Sequence, residues 1–267
     1  MLWGAIIGDI VGSVYEFCNI KTKDFPLFDP KAYFTDDTAM TIAIAMGVHL
    51  GGGAENYAQQ MRRVGNIYPN LSYGMMFKKW LEDETMMAYK SWGNGSAMRV
   101  SAVAYFPNAD LEKVLFEAEQ TALPTHNNPE GIKGAQAIAA AIFLARMGKS
   151  KIEIQDYIES KFGYELDKSV EEIRPDYSFD TSCQGTVPQA IIAFLDSDNF
   201  EDAIRNAVSL GGDSDTLAAI TGSIAEAYYG IPEWIKNRAS SYLDKPLLTM
   251  INNLETKYST VELNDGK

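Results

Sequence analysis

Two short stretches carry residues that could do chemistry together: Thr35-Asp36-Asp37-Thr38 and Asp213-Ser214-Asp215-Thr216. Each sets two carboxylates among hydroxyls. Each then runs straight into small and apolar residues, Ala39 to Gly47 in the first case and Leu217 to Ile220 in the second. One Asp or Thr suffices as a helix N-cap. Adjacent aspartates repel each other, so a doubly acidic turn at the start of each of two core helices exceeds what capping needs. No Lys or Arg lies close in sequence to neutralise the second stretch, and a buried carboxylate without a counter-charge is costly. Oxygen-only donors of this kind suit hard divalent cations such as Mg²⁺, and two such turns could hold two of them between the helices.

Three other places add chemistry. Gly93-Asn94-Gly95-Ser96 precedes an apolar stretch, Val100 to Ala104, expected to be helical. Glycine-rich turns at helix starts present backbone N–H groups to anions, which would let an acidic protein bind one. The turn has neither the Lys of a P-loop nor the spacing of a dinucleotide fingerprint. His126, in Thr125-His126-Asn127-Asn128-Pro129, stands just outside the start of an alanine-rich helix expected over Gly131 to Met147. Glu16, between Tyr15 and Phe17, is placed near the end of a helix spanning Leu2 to Phe17, where the helix dipole disfavours a carboxylate. Asp9, seven residues earlier, falls on the same side of that helix.

The elements that must position these residues are nearly all helical in pattern. Gly4, Gly8 and Gly12 recur every four residues, so on a helix they form a smooth face along which another backbone can pack closely. Further helices are expected over Ala54–Val64, Tyr73–Trp80, Asp110–Thr121, Lys149–Phe162, Cys183–Leu195, with Pro188 near its first turn, and Phe200–Ser209. One or two more follow Pro232, and a polar tail from about residue 256 is expected to fray. The segments 21–33 and 163–181 are polar and aperiodic and are placed as loops, the second as a surface loop or short hairpin. Met75-Met76 and Met86-Met87 fit core filling better than a ligand box. Alternating β-type runs are scarce. The expectation is an all-α fold, a single compact domain of about a dozen helices spanning residues 1–267.

Composition narrows the function classes. Acidic residues outnumber basic ones 36 to 23, a formal net charge of −13, which argues against general nucleic-acid or anionic-membrane binding. Two cysteines and two histidines, His49 and His126, are too few and too scattered for a zinc cluster or disulfide framework. No basic signal-peptide region and no transmembrane run is present, so cytoplasmic is the default location, and monomer is taken separately as the default oligomeric state.

Taken in order, five blocks resemble the ADP-ribosylglycohydrolase family. They are Gly4-Ala5-Ile6-Ile7-Gly8-Asp9 with Tyr15-Glu16, Phe34-Thr35-Asp36-Asp37-Thr38, Gly93-Asn94-Gly95-Ser96-Ala97-Met98-Arg99, Thr125-His126-Asn127-Asn128-Pro129 and Gly211-Gly212-Asp213-Ser214-Asp215-Thr216. The resemblance implies an orthogonal multi-helix domain with two Mg²⁺ (or Mn²⁺) ions at the base of an ADP-ribose cleft. It implies Thr35, Asp36 and Asp37 as metal ligands from one helix start and Asp213, Asp215 and Thr216 from the other. Glu16 would be the acidic residue nearest the scissile bond, with Asp36 and Asp215 completing the catalytic carboxylates. Gly93, Asn94, Gly95 and Ser96 would bind the pyrophosphate and His126 would lie along the ADP-ribose. Trp92 and Tyr73 are candidates for stacking on the adenine. The implied reaction is metal-dependent hydrolysis of the bond joining ADP-ribose to an acceptor. The acceptor is open: arginine, serine, a nucleic-acid end or O-acetyl-ADP-ribose. A metal-dependent nucleotide pyrophosphohydrolase would want similar residues, and a non-catalytic ADP-ribose-binding family member is the other alternative.

Overall fold

The computed structural model describes the backbone of residues 2–265 and the side chains of residues 2–256. Its elements, in chain order, are α1 (Trp3–Gly12), α2 (Asp36–His49), α3 (Ala54–Ile67), α4 (Met75–Glu82) and a short α5 (Gly95–Met98). A 3₁₀ stretch (Val100–Tyr105) leads to α6 (Leu111–Ala122), α7 (Pro129–Arg146), α8 (Lys151–Phe162), a short α9 (Val170–Ile173) and α10 (Cys183–Leu195). The chain ends with α11 (Phe200–Ser209), α12 (Ser214–Tyr229), α13 (Glu233–Ser240) and α14 (Lys245–Asp265). The all-α expectation holds: among the described residues the β-type pairing is a lone bridge between Gly93 and Ser182. No helix among them is long and apolar enough to cross a membrane.

Local sequence explains most of the helix starts. Asp110, Asn128, Ser150, Ser169, Ser182 and Asn199 each accept a backbone N–H of the first turn of the helix that follows. Ser150 and Ser169 complete capping boxes with Glu153 and Glu172. Thr35 caps α2 by accepting from the Asp37 amide. Asp213 breaks the pattern. It occupies the cap position of α12, yet its carboxylate makes no capping hydrogen bond. The side chain is committed elsewhere.

The centre of the molecule is α12, with every residue from Ser214 to Ala225 buried and α1, α2, α5, α7, α10 and α11 packed around it. Its nearest partner is α1. A Cβ built on Gly4, Gly8 or Gly12 would fall 2.1 Å from Gly222 O, 2.0 Å from Ala218 O and 2.4 Å from Asp215 Cα, so the two backbones touch with no room for side chains. The helices run antiparallel, and the register lays the C-terminal end of α1 on the acidic first turn of α12.

Several expectations need correction. The helix expected over Leu2–Phe17 stops at Gly12, and the chain bends at once (Tyr15 N to Gly12 O, 2.8 Å). Glu16 therefore sits on a turn beyond α1, not on its face. Val100–Tyr105 is wound as 3₁₀ helix, and the segment 163–181 carries the short α9 rather than a hairpin. Met75, Met76 and Met87 are 75%, 43% and 82% exposed, so they do not fill the core. The tail expected to fray from about residue 256 lies mostly outside the residues whose side chains are described.

The α1–α12 contact gives a direct test. Gly8→Ala should destabilise the protein by about 1–3 kcal/mol or more, since the clash is with backbone that cannot rotate away. Gly74→Ala, at φ −55 with open space around it, should stay within about 0.5 kcal/mol of wild type. Denaturant unfolding of both variants decides the matter, and equal midpoints would show that the helices are not in backbone contact.

Candidate active site

Helix α1 supplies the frame on which the acidic turns hang. Asp9, fully buried in its middle, accepts four hydrogen bonds from the start of α2. Oδ2 takes Thr35 N (2.9 Å), Thr38 N (3.1 Å) and Thr38 Oγ1, while Oδ1 takes Thr35 Oγ1 (2.7 Å). Burial pushes the Asp9 carboxyl up to about 6, and these donors work against that rise. Asp9 thus fixes Asp36 and Asp37, while Gly12 fixes Asp215. One helix indexes both halves of the site.

Five carboxylates gather where these elements meet. Glu16, Asp213 and Asp215 place carboxylate oxygens within 4.8 Å of one another. Asp36, Asp37 and Thr216 line the same cavity, of about 520 Å³. Thr216 Oγ1 donates to Asp37 Oδ2 at 3.3 Å, joining the two helix starts, and Ser72 donates to Asp36 Oδ1 at 3.2 Å. Thr35 lies beneath, 1% exposed and bonded to Asp9. Asp213, relieved of capping, takes Asn94 Nδ2 at 2.7 Å.

The electrostatics are one-sided. Burial first, then the neighbouring carboxylates, push Asp37 and Asp215 well above the usual carboxylate range. Burial also raises Asp36 to about 7, helped by Asp9 and Asp213, and Glu16 to about 7, helped by Asp213, Asp36 and Asp9. Asp213 is raised by burial, with its hydrogen bonds opposing. Among the described residues no Lys or Arg forms an ion pair with any of the five. Asp37 Oδ1 is a buried oxygen without a partner. An all-oxygen donor set, an orphaned carboxylate oxygen and unrelieved repulsion together fit a divalent cation.

The opposite chemistry lines another part of the wall. Gly93, Asn94, Gly95 and His126 face the cavity, with Trp92, Phe179 and Tyr89. Of the turn's amides, Gly93 N is bonded to Ser91 Oγ (3.1 Å) and Asn94 N to Thr181 O (2.8 Å). Gly95 and Ser96, at the start of α5, have no intrahelical partner for theirs. The Asn94 amide spends its hydrogens on Asp213 and Thr186, so it holds the acidic turn in place. The Ser96 side chain points away from the cavity, fully buried and donating to Gly131 O at 2.7 Å. Tyr73 is buried against Phe77 rather than at the wall, whereas Trp92 is half-exposed there.

Positive charge comes from Arg99, 1% exposed and beside the cavity. Its Nη2 donates to Thr121 O and Thr125 Oγ1, each at 2.9 Å. Burial lowers its guanidinium to about 10, which leaves it charged at neutral pH. Thr125 Oγ1 accepts from Arg99 and lies 2.7 Å from His126 Nδ1. The buried hydroxyl has its own hydrogen to place, and Nδ1 is the acceptor beside it, so the imidazole proton sits on Nε2. Nε2 faces the glycine turn, 3.1 Å from where a Gly95 Cβ would be. Burial and Arg99 hold the His126 pKa well below its ordinary value. His126 is a neutral N–H donor turned toward the Gly93–Gly95 wall.

Sequence patterns point to the acidic turns, Glu16, the glycine turn and His126, and the structure brings all of them to one cavity except the Thr35 and Ser96 side chains. They do not point to the supporting roles of Asp9 and Arg99, whose partners lie 22 or more positions along the chain, nor to Thr125 as the link between Arg99 and its neighbour His126. The seven-residue spacing of Asp9 and Glu16 is a signal of common side, but the early end of α1 separates their roles.

The family model described as ADP-ribosylglycohydrolase matches residues 1–262. Curated relatives include the ADP-ribosylarginine hydrolase Tri1 of Pseudomonas putida, 29% identical over 90% of this chain and 73% of that protein. The mouse ADP-ribosylhydrolase ARH3 is 28% identical over 87% of this chain and 83% of its own length. A solved structure, from an ADP-ribosylglycohydrolase-related protein complex, superposes with a TM-score of 0.66 at 23% identity, covering 90% of this chain and 94% of its own, and so shares the fold. With a match across nearly its whole length, this chain belongs to the ADP-ribosylglycohydrolase family of glycohydrolase enzymes.

Proposed function

We propose that this enzyme cleaves the glycosidic bond between ADP-ribose and an acceptor group, releasing ADP-ribose, with two divalent cations in the carboxylate cluster. One observation carries the reading: a single cavity holds five carboxylates free of ion pairs together with a neutral imidazole donor and a buried guanidinium. That is the polarity a dinucleotide-like anion needs when its ribose must reach a cation centre. Thr35, Asp36 and Asp37 would hold cations from α2, and Asp213, Asp215 and Thr216 from α12; Mg²⁺ is the first choice and Mn²⁺ the second. When bound, the cations supply Lewis-acid charge for ribose oxygens and for an attacking water.

The chain's own residues do the rest. Glu16, with a carboxyl near 7 and a place beside Asp213 and Asp215, accepts a proton from the attacking water at neutral pH. Leaving-group departure builds positive charge at the anomeric carbon, which the surrounding carboxylates Asp36 and Asp215 stabilise. His126 Nε2–H, the amides of Gly95 and Ser96 and the charge of Arg99 orient the pyrophosphate. Gly93 contributes by lacking a side chain at the wall, and Trp92 offers a half-exposed ring for the adenine. The Pseudomonas putida relative is named for ADP-ribosylarginine, so arginine-linked ADP-ribose heads the substrates to test, followed by serine-linked, nucleic-acid-linked and O-acetyl forms.

Steady-state hydrolysis with Mg²⁺ or Mn²⁺ should show Asp36→Ala and Asp213→Ala without activity. Glu16→Gln should lose about 10²–10⁴-fold in kcat. Wild-type turnover in any of the three would remove the cluster from the reaction, and AMP as product would favour a pyrophosphohydrolase.

The cluster also has a pH signature. A carboxyl whose folded pKa stands above its unfolded one, about 4, holds its proton better in the native state. Its contribution therefore falls as pH rises from about 4 toward the folded values near 7 of Glu16 and Asp36. In chelator, Asp215→Asn should melt several degrees above wild type at pH 7.5, with the gap closing at pH 5. A gap that is constant with pH would contradict the uncompensated repulsion.

His126 should show no imidazole titration between pH 5.5 and 8 by NMR, and His126→Phe should weaken ADP-ribose binding about tenfold, the worth of one hydrogen bond to an anion. A midpoint near 6.5 would overturn the reading of His126 as a neutral imidazole at physiological pH.

A further inference from the structure

Glu16 lies on a turn that no helix holds, yet its carboxylate stays with those of Asp213 and Asp215. Repulsion among ionised carboxylates pushes such a turn outward. One side chain opposes it at four points. The Asn19 amide bridges the Glu16 turn and the glycine turn that ends at Asp213. Its Oδ1 accepts Gly212 N at 2.8 Å, and its Nδ2 reaches Gly212 O (2.9 Å), Tyr15 O (2.7 Å) and Glu16 O (2.8 Å). The two Nδ2 hydrogens are shared among three carbonyls. The orientation is fixed, because flipping the amide would set a donor against the Gly212 N–H and an oxygen against three carbonyls.

The surroundings reinforce the bridge without replacing it. Gly211 and Gly212 take left-handed φ values of 72° and 71°, and a Cβ on Gly211 would lie 3.3 Å from Asn19 Oδ1. Ser214 Oγ lies 3.3 Å from both Tyr15 O and Gly212 O, so its one hydrogen serves either turn but does not reach Glu16. Lys21 Nζ binds Leu210 O (2.5 Å) and Tyr177 O (2.6 Å), further along both segments from Glu16 and Asp213. Only Asn19 holds the Glu16 carbonyl and Gly212 at the same time among these contacts.

We propose that Asn19 is a positioning residue, whose amide ties the Glu16 turn to the Gly211–Gly212 turn and sets Glu16 against Asp213 and Asp215. The proposal rests on the hydrolase reading for the role of Glu16. Ala at position 19 removes the tie. Asp, with the same shape, loses both Nδ2 donors and turns a carboxylate oxygen toward three carbonyls.

The test uses Asn19→Ala and Asn19→Asp in the full chain, with Glu16→Gln alone and combined with Asn19→Ala. Hydrogen exchange at the Gly212 amide, measured without metal, should quicken about tenfold in Asn19→Ala, which removes its acceptor, while global unfolding barely moves. With Mg²⁺ and an ADP-ribosylated protein as substrate, kcat should fall about 10–100-fold with KM nearly unchanged, Asp worse than Ala. In the Glu16→Gln background, Asn19→Ala should cost nothing further, since the residue it positions is gone. Unchanged Gly212 exchange overturns the clamp. Unchanged kcat, or a loss that simply adds to that of Glu16→Gln, overturns its positioning role. A wild-type protein inert on every ADP-ribosylated substrate overturns the hydrolase reading instead, and exchange at Gly212 then decides the clamp alone.

Discussion

The contact on which the site depends is backbone against backbone. Helix α1 lies on α12 at Gly4, Gly8 and Gly12 with no side chains between them, and that fixes register as well as distance. Because register is fixed, Asp9 falls where it can receive Thr35 and Thr38, and Gly12 falls on Asp215. The acidic starts of α2 and α12 are then held a few ångströms apart by one rigid element. Glu16 follows four residues after Gly12, near enough to join them.

Such an arrangement works against folding. Each of the five carboxylates is pushed up by burial, and several are pushed further by each other. Proteins relieve buried charge with ion pairs, hydrogen bonds or metals. Ion pairs are missing here among the described residues, and the hydrogen bonds leave Asp37 Oδ1 unmet. The rest of the wall is built in the opposite sense. Burial, with Arg99 behind it, keeps the His126 imidazole neutral, and the Thr125 hydroxyl at Nδ1 leaves its proton on Nε2. Clustered carboxylates and a wall carrying a neutral N–H donor and a buried guanidinium share one cavity.

Much of this is legible in the sequence, and the rest is hidden for identifiable reasons. Doubled acids at two helix starts exceed any capping role, and Asp213, which sits at a cap without capping, bears that out in the geometry. The four-residue glycine rhythm gives the α1 contact face. Other features depend on partners remote in sequence. Asp9 looks like an ordinary helical acid until α2 folds onto it. Asn19 is one more polar loop residue until Gly212, 193 positions on, comes alongside. Ser96 has the right motif but the wrong direction, since helix phase turns its hydroxyl to Gly131. The helix pattern through Phe17 misled for a similar reason: past Gly12 the chain is held in a turn by Asn19 and Ser214 rather than by its own helical bonds.

If the carboxylates of α2 and α12 form a cation centre, anomalous diffraction from crystals soaked in Mn²⁺ will show peaks in contact with oxygens of Asp36 or Asp37 and of Asp213 or Asp215, absent from crystals of Asp215→Asn. Saturating Mn²⁺ with no peak at these carboxylates, in crystals of active protein, would contradict it.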